Sequence, residues 1–256
     1  PYDIPKLDGI TVDGNIDDWN DRGFYIGVMS SNQGVILPAP DFDVQVRLGW
    51  NDEGLLVLCT VTDDILVEAK EDAELDTKDS VELHMAPGVS HVAHYRVLLG
   101  GGFLPANSTP RTYIFDSPER ELFGPAQVTA FRNILEKGYL LEILVPWTNI
   151  NKQATVGTEF ALQIRANDTD DDADQFKAMW YQAQGDHCDS DWMYCLRLAD
   201  KASAPIQALA NTHYDAAVRA NVKIMAPVSL EGERVAVEVQ GKQLASGKLA
   251  ADNGRS

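Results

Sequence analysis

The chain has 256 residues, of which 45% are hydrophobic, so it has enough apolar material for a sizeable core and is not wholly disordered. Its 39 acidic and 21 basic residues give a net charge of −18, and an acidic protein repels the phosphate backbones of nucleic acids. No apolar run approaches the roughly 18 residues of a membrane-spanning helix. We therefore expect no nucleic-acid partner and no membrane span, and we expect cations or neutral molecules as ligands.

Short segments with alternating apolar residues follow one another along most of the chain. In the first, residues 44–50, Val44 and Val46 alternate with Gln45 and Arg47. Further segments of this kind cover residues 55–61, 79–85, 95–99, 128–135, 139–145, 159–166 and 193–198. Strands at this spacing, with few helical patterns between them, predict an all-β fold, an antiparallel β-sandwich of the jelly-roll type.

The character of the sequence changes near residue 200. Residues 202–210 are small and weakly patterned, which indicates a linker, with a short helix as the alternative. Three later segments predict strands, at residues 220–225, 234–239 and 244–249. We predict one domain over residues 1–200. Because three strands are too few for an independent sandwich, we predict that residues 201–256 are a linker and the start of an incomplete second β-domain in a longer, modular protein.

The sequence contains no familiar catalytic motif, since GxSxG, HExxH, P-loop and dinucleotide-binding patterns are all missing. Glu82 and His84 share one face of a predicted strand, which suits either acid–base chemistry or a solvated polar surface. We favour the solvated surface and predict that this region is not an enzyme.

Acidic residues are concentrated at three places. The segment 167–174 has aspartates at alternate positions from Asp168 onward, and the other two places are the turn at Asp13 and the pair Asp63 and Asp64. Carboxylate oxygens are hard ligands that suit Ca²⁺, although the spacing does not match an EF-hand loop. Each place is equally compatible with a solvated acidic turn.

Four of the five tryptophans fall into two groups. Trp50, Trp147 and Trp180 lie among apolar residues or in phase with them, which predicts core positions. Trp192 lies in a polar loop, where an exposed indole could stack on the apolar face of a sugar ring. The alternative for Trp192 is a rim residue that folds onto the sandwich.

Histidine and cysteine residues raise other possibilities. The candidate ligands for a haem are His84, His91, His94 and Met85, although a surface histidine in a strand is commoner. Cys59 lies in an apolar strand and predicts a buried thiol. Cys188 and Cys195 could pair, or His187 and Cys188 could contact a metal, and the sequence leaves both open.

Six motifs in order resemble the family 9 carbohydrate-binding modules. They are residues 12–19 (Val-Asp-Gly-Asn-Ile-Asp-Asp-Trp), 46–52 with 55–63, 79–83 (Asp-Ser-Val-Glu-Leu), 95–97 (Tyr-Arg-Val), 138–147 and 167–168 (Asn-Asp). The resemblance covers about residues 8–199. It implies a β-sandwich that binds sugar, carries structural calcium and does no chemistry itself. Such modules are usually appended to extracellular enzymes that degrade polysaccharides.

The resemblance also implies a sugar site. In sugar-binding members two tryptophans clamp the ring, and Glu, Arg and Asn side chains hydrogen-bond its hydroxyls. Glu82 and Arg96 match the acidic and basic positions. One would accept and the other donate hydrogen bonds, which suits vicinal hydroxyls.

The chain departs from that pattern at the other positions of the sugar site. The first clamping tryptophan would fall near Asp76 and the second near His187 or Cys188, and Leu98 stands in place of the asparagine. Trp192 or Tyr181 is a candidate to replace a clamp. The sugar, if one is bound, is then expected to differ from the usual ligand.

We therefore predict a non-catalytic carbohydrate-binding module in a secreted or cell-surface multidomain protein that processes polysaccharides. The predicted sugar-binding residues are Glu82, Arg96, Trp192 and His187. The predicted Ca²⁺ ligands are Asp13, Asp63, Asp79 and Asp168. The alternatives are a structural spacer that kept the fold and lost its ligand, a haem-binding domain with a similar sandwich, and a module that supports catalysis by another part of the protein.

Overall fold

The computed structural model describes residues 1–89, 95–100, 109–115, 128–171, 175–182, 190–202, 207–214, 218–225, 232–239 and 241–248. For residues 95–100, 114–115, 207–214 and 218–225, and for positions 237, 239 and 244, the backbone alone is described. The chain divides into two compact units, Pro1–Ser203 and Ala204–Ser256. Within the described residues no helix has the length and apolar character needed to cross a membrane.

The first unit contains a sheet of seven strands among the described residues, numbered here along the chain. They are β1 (Tyr2–Pro5), β5 (Ser80–Ala86), β6 (Tyr95–Gly100), β7 (Arg111–Phe115), β10 (Glu159–Thr169), β11 (Gln175–Met179) and β12 (Tyr194–Ala199). Their order is β1-β12-β10-β5-β6-β7, and β11 pairs with the C-terminal part of β10. The β1–β12 pair is parallel and the other pairs are antiparallel.

The second sheet of this unit has five antiparallel strands in the part of the chain described. They are β2 (Phe24–Ile26), β3 (Phe42–Trp50), β4 (Gly54–Asp63), β8 (Thr129–Ile134) and β9 (Tyr139–Pro146), in the order β2-β3-β4-β9-β8. The predicted all-β antiparallel sandwich is confirmed. The core lies between the sheets, where Val57 and Ile143 of one sheet join Leu83, Ile164 and Leu196 of the other in one buried apolar cluster.

The apolar character of β4 on both faces has a simple cause. Its core-facing residues pack between the sheets. Leu56 and Leu58 on the opposite face are covered by residues 7–19, called here the N-terminal segment, through Leu7 and Trp19. Leu140 of β9 completes this second buried cluster. Each burial of a large apolar side chain contributes roughly 1.5–3 kcal/mol, so the N-terminal segment is part of the folded unit.

The second unit, Ala204–Ser256, contains two separate hairpins among its described residues. One pairs β13 (Gln207–Tyr214) with β14 (Val218–Met225), and the other pairs β15 (Arg234–Val239) with β16 (Lys242–Lys248). The prediction of a linker or short helix over residues 202–210 is wrong for its C-terminal part. β13 is a strand because it pairs residue by residue with β14, and such pairing does not require a strong apolar pattern of its own.

Four short strands of the first unit were missed by the sequence prediction. These are β1, β2, β7 and β11, which have three to five residues each. Such lengths are too short to reveal a two-residue period, so the neighbouring strand decides whether they form. The eight strands predicted for this unit are all present, with ends that differ by a few residues.

Candidate functional site

Polar side chains line one face of the seven-stranded sheet at the β5–β10 pair. On β5 the residues Val81, Leu83 and Met85 enter the core, so the alternate residues lie on the outer face. The strand register places three pairs opposite each other: Ser80 with Asn167, Glu82 with Arg165, and His84 with Gln163. These six side chains are called here the polar row, and all six are buried.

Glu82 is the centre of the polar row. Its Oε2 lies 2.8 Å from His84 Nε2, and its Oε1 accepts a hydrogen bond of 2.8 Å from Asn167 Nδ2. Arg165 Nη1 lies 3.6 Å from the same Oε2. Burial alone would raise the pKa of Glu82. The hydrogen bond and charge of His84, followed by Arg165 and Asn167, outweigh burial and lower that pKa, so Glu82 is ionised at neutral pH.

The predicted strand face is confirmed for Glu82 and His84, but the predicted solvated surface is wrong. Both side chains are fully buried. The candidate haem ligands His84 and Met85 lie on opposite faces of β5, with Met85 in the core. His91 and His94 lie outside the described residues.

Gln163 connects the polar row to a group of aromatic side chains. Its Oε1 accepts a hydrogen bond of 2.8 Å from the Tyr181 backbone N–H, and its Nε2 donates one of 2.6 Å to the Tyr181 carbonyl. Nε2 also lies 3.4 Å from the carbonyl of Trp192. The Tyr181 and Trp192 rings meet edge to face with centroids 6.2 Å apart, and Tyr194 lies 4.8 Å from Tyr181. The half-buried Trp192 therefore lies beside the polar row.

Two predicted sugar-binding residues are described incompletely or not at all. Arg96 is the register partner of His84 on β6, so its backbone lies next to the polar row. His187 lies outside the described residues, as does Cys188. Asp76, at the first tryptophan position of the resemblance, lies in the short 3₁₀ helix Asp72–Thr77 and accepts a hydrogen bond of 2.8 Å from Lys177 Nζ at its carbonyl.

Three buried aspartates form a second candidate site. Asp63 ends β4, Asp79 precedes β5 and Asp168 lies on β10, and a carboxylate oxygen of each is within 4.8 Å of the others. Asp79 Oδ1 accepts a hydrogen bond of 2.9 Å from Thr169 N–H, and its other oxygen accepts one from Val67 N–H. Asp63 Oδ2 is buried and has no hydrogen-bond partner among the described residues.

Burial and mutual repulsion perturb these three carboxyl groups. Burial is the main cause that raises the pKa of Asp63 to about 6, that of Asp79 to about 8 and that of Asp168 to about 7. The negative charges of neighbouring aspartates raise them further. Asp41, Asp64 and Asp170 form an adjacent, more exposed group with the same spacing. A cation would compensate this charge, and the set of hard oxygen ligands fits Ca²⁺.

The predicted metal ligand Asp13 lies apart from the three buried aspartates. Its Oδ1 accepts a hydrogen bond of 2.8 Å from the Asn15 N–H, and the neighbouring Gly14 N–H donates one of 2.6 Å to Glu142 on β9. Trp19 Nε1 donates another, of 2.8 Å, to Glu142. This motif therefore anchors the N-terminal segment, and the structure does not bring Asp13 to the predicted metal site.

Sequence reasoning missed Gln163 and Arg165. Both lie in a predicted strand at positions that alternate with the apolar residues Leu162 and Ile164, so the period placed them on the outer face. What the period does not give is the register, which alone sets Arg165 opposite Glu82. Only the structure could therefore show that these two residues belong to the site.

Comparisons with known proteins agree on one family. The model of a family described as carbohydrate family 9 binding domain-like matches residues 12–200. A family 9 carbohydrate-binding module from Caldicellulosiruptor kristjanssonii in complex with cellotriose is 18% identical, with a TM-score of 0.57 over 80% of this chain and 99% of that one. A structure of such a module from this organism with glucose is 16% identical, with a TM-score of 0.55 over 77% and 95%. At these identities the likeness shows the fold. No curated protein sequence matches significantly.

Proposed function

The chain belongs to the carbohydrate family 9 binding domain-like family, and from this premise we propose that it is a non-catalytic module that binds a saccharide at the polar row. The observation that carries the proposal is the mixture of hydrogen-bonding groups on one sheet face beside a half-buried aromatic pair. Glu82 supplies acceptor oxygens, Arg165 supplies N–H donors, and Trp192 with Tyr181 supplies apolar ring surface. Sugars present the same mixture of hydroxyls and apolar C–H faces.

Support for a saccharide ligand also comes from the solved relatives. Two solved structures of family 9 modules with this fold are complexes, one with cellotriose and one with glucose. The departure at Asp76 argues that the ligand contacts of this chain are not identical to theirs. Aromatic surface from Tyr181 and Trp192 is our candidate for what replaces the missing clamp.

A panel of neutral and acidic oligosaccharides, titrated against the folded protein by calorimetry, tests this proposal. We expect Trp192→Ala to weaken binding about tenfold, because loss of one stacking contact of roughly 1.4 kcal/mol corresponds to that factor. Tyr25→Ala is the matched control, since Tyr25 is a half-buried aromatic residue on the other sheet, where it donates a hydrogen bond to Gln45. Binding that survives Trp192→Ala unchanged would contradict the placement of the site.

The second candidate is a structural spacer that kept the fold and lost its ligand. The observation that favours it is the polar Asp76 at a clamping position. Folded protein that binds no sugar in the panel would support the spacer and contradict the binding module.

Calcium is the second part of our proposal. Asp63, Asp79 and Asp168 would hold the ion, because their oxygens lie close together, are buried and leave Asp63 Oδ2 without a partner in the described part of the chain. The ion would supply the positive charge that three neighbouring carboxylates need and would do no chemistry. Asp13 is not part of this set.

We also propose that the module works outside the cell, within a larger protein that processes polysaccharides. Extracellular calcium modules operate with dissociation constants of roughly 0.1–1 mM, which suits a site with only three carboxylate ligands. Detection of the full-length protein in culture supernatant or at the cell surface tests this localisation, and retention in the cytoplasm would contradict it.

A further inference from the structure

Arg165 is a buried cation with few partners in the described part of the chain. Its side chain is 6% exposed and makes one ion pair of 3.6 Å with Glu82, longer than a hydrogen bond. Its Nε is buried and has no hydrogen-bond partner there. A guanidinium group carries five N–H donors, and buried donors in native proteins nearly always have partners.

The residues next to Arg165 explain why its guanidinium group has few partners in the described part of the chain. Both oxygens of Glu82 already accept from other residues, one from His84 and one from Asn167. On the other side of Arg165 the register partner is Met179 of β11, which has no carboxylate. Glu82 is therefore shared among at least three partners in the described part of the chain and compensates Arg165 only in part.

A second buried arginine shows how this chain satisfies a guanidinium that has a structural role. Arg132 on β8 also has a buried Nε with no described partner. It nevertheless hydrogen-bonds Glu68 directly and stacks over the Tyr139 ring at 5.2 Å. Arg165 has neither contact among the described residues, and it lies in the proposed sugar site.

We infer that Arg165 binds the carboxylate of a uronic acid, so that the ligand is an acidic saccharide. The inference rests on the proposed sugar-binding function. The planar fork of a guanidinium matches a carboxylate with two parallel hydrogen bonds, whereas a neutral hydroxyl supplies no compensating charge. The register places the backbone of a second arginine, Arg96, opposite His84 on β6, so another basic residue belongs to this part of the sheet.

The net charge of the protein limits the kind of acidic saccharide. The chain carries −18 overall, so a uniformly charged polyanion is repelled at long range, while a single charge in contact with Arg165 is not. Exposed charges are screened beyond about 8 Å at physiological ionic strength. The recognised unit is therefore an isolated uronate on a largely neutral glycan. The net charge favours cations and neutral ligands, and the missing clamping residues leave a charged sugar open; an isolated uronate is compatible with both observations.

Three matched probes test the inference on the unmodified protein: a xylo-oligosaccharide with one glucuronic acid group, its methyl ester, and the unsubstituted oligosaccharide. Calorimetry should show the free acid binding at least tenfold more tightly than the ester, which has nearly the same shape and no charge. Equal binding of all three probes would overturn the inference and leave the proposed sugar binding intact. Absence of binding to every saccharide, from folded protein, would overturn both.

Arg165→Lys then tests the residue, because lysine keeps the charge and loses the planar fork. The preference for the acid over the ester should fall to less than threefold. This ratio is the readout, because both probes lose alike any hydrogen bond that Arg165 makes to a neutral part of the sugar. Arg197→Lys is the matched control, since Arg197 lies on the same sheet and pairs with Asp3 at 2.6 Å near the β1–β12 edge. A preference that survives Arg165→Lys overturns the role of Arg165. If the variant melts early, the ester comparison still decides the ligand class.

Discussion

The carboxyl groups of Asp63, Asp79 and Asp168 favour their protonated forms in the folded chain. Their pKa values of about 6, 8 and 7 lie above the ordinary aspartate value of 3.8, which we take for the unfolded chain. Between roughly pH 4 and pH 8 the folded state therefore binds more protons than the unfolded state. By linkage, folding stability then falls as the pH rises through this range. Glu82, whose pKa is lowered, titrates below this pH range.

Calcium should reverse this loss, because a bound cation stabilises the ionised carboxylates and protons compete less at higher pH. In chelator we expect the melting temperature to fall from pH 5 to pH 8. At calcium a hundredfold above its dissociation constant the folded state gains about 2.7 kcal/mol, or roughly 5–10 °C at this chain length. The calcium-induced shift should be larger at pH 8 than at pH 5.

Differential scanning calorimetry in matched chelator and calcium buffers measures the melting temperature in chelator at each pH and the shift that calcium causes. Glu142, whose pKa is also raised by burial, contributes a pH dependence of the same sign but is not one of the three aspartates proposed to bind calcium. The difference between the two buffers at each pH therefore isolates the aspartates. Identical melting curves with and without calcium at pH 8 would rule out the proposed ion.

At the scale of secondary-structure elements, the N-terminal segment acts as a cover for the outer face of β4 and β9. Trp19 is fully buried against Leu56, Leu58 and Leu140, and its indole N–H bonds Glu142. Replacing it with alanine leaves a cavity and removes one donor from Glu142. We expect Trp19→Ala to lower the free energy of unfolding by roughly 3–5 kcal/mol, measured by urea titration.

Ile16 provides the control for this variant, because it lies in the same segment and is 39% exposed. Ile16→Ala should change the free energy of unfolding by about 0.5 kcal/mol or less. Similar losses in both variants would mean that the segment acts through its backbone rather than through the buried indole.

The long strands could be predicted because their signals are local. Alternation in β3 and β5 gave both the strand and the face of each residue, including the outer position of Glu82. The short strand β11 could not be found this way, since five residues hold little periodicity. Register is non-local, so neither the pairing of Arg165 with Glu82 nor the meeting of Asp63 with Asp168 was visible in the sequence.

At the scale of the whole first unit, the aspartate site joins the two sheets of the sandwich. Asp63 belongs to β4 of the five-stranded sheet, whereas Asp168 belongs to β10 of the seven-stranded sheet. Without a cation, these carboxyl groups can all ionise only against burial and their mutual repulsion, which is why their pKa values are raised. A bound Ca²⁺ would hold these groups together, so we expect its effect to extend beyond the site itself.

The polar row lies on the strands that the cation would fix. Asp79 immediately precedes Ser80 at the start of β5, and Asp168 immediately follows Asn167, which bonds Glu82. We therefore expect saccharide affinity to fall at least about fivefold in chelator, the lower end of typical coupling between two sites. The measurement is calorimetric titration of the glucuronic acid probe with and without calcium, well below the melting temperature.

Asp63→Asn separates this coupling from a direct calcium–sugar contact, because Asp63 lies on the other sheet from the polar row. The variant should lose the calcium response and bind sugar with the weaker affinity of the chelated protein. Asp52→Asn, at an exposed aspartate paired with Lys6, should behave as the unmodified protein. Should affinity be the same in chelator and calcium while the melting temperature differs, the ion acts on stability alone and the two sites are independent.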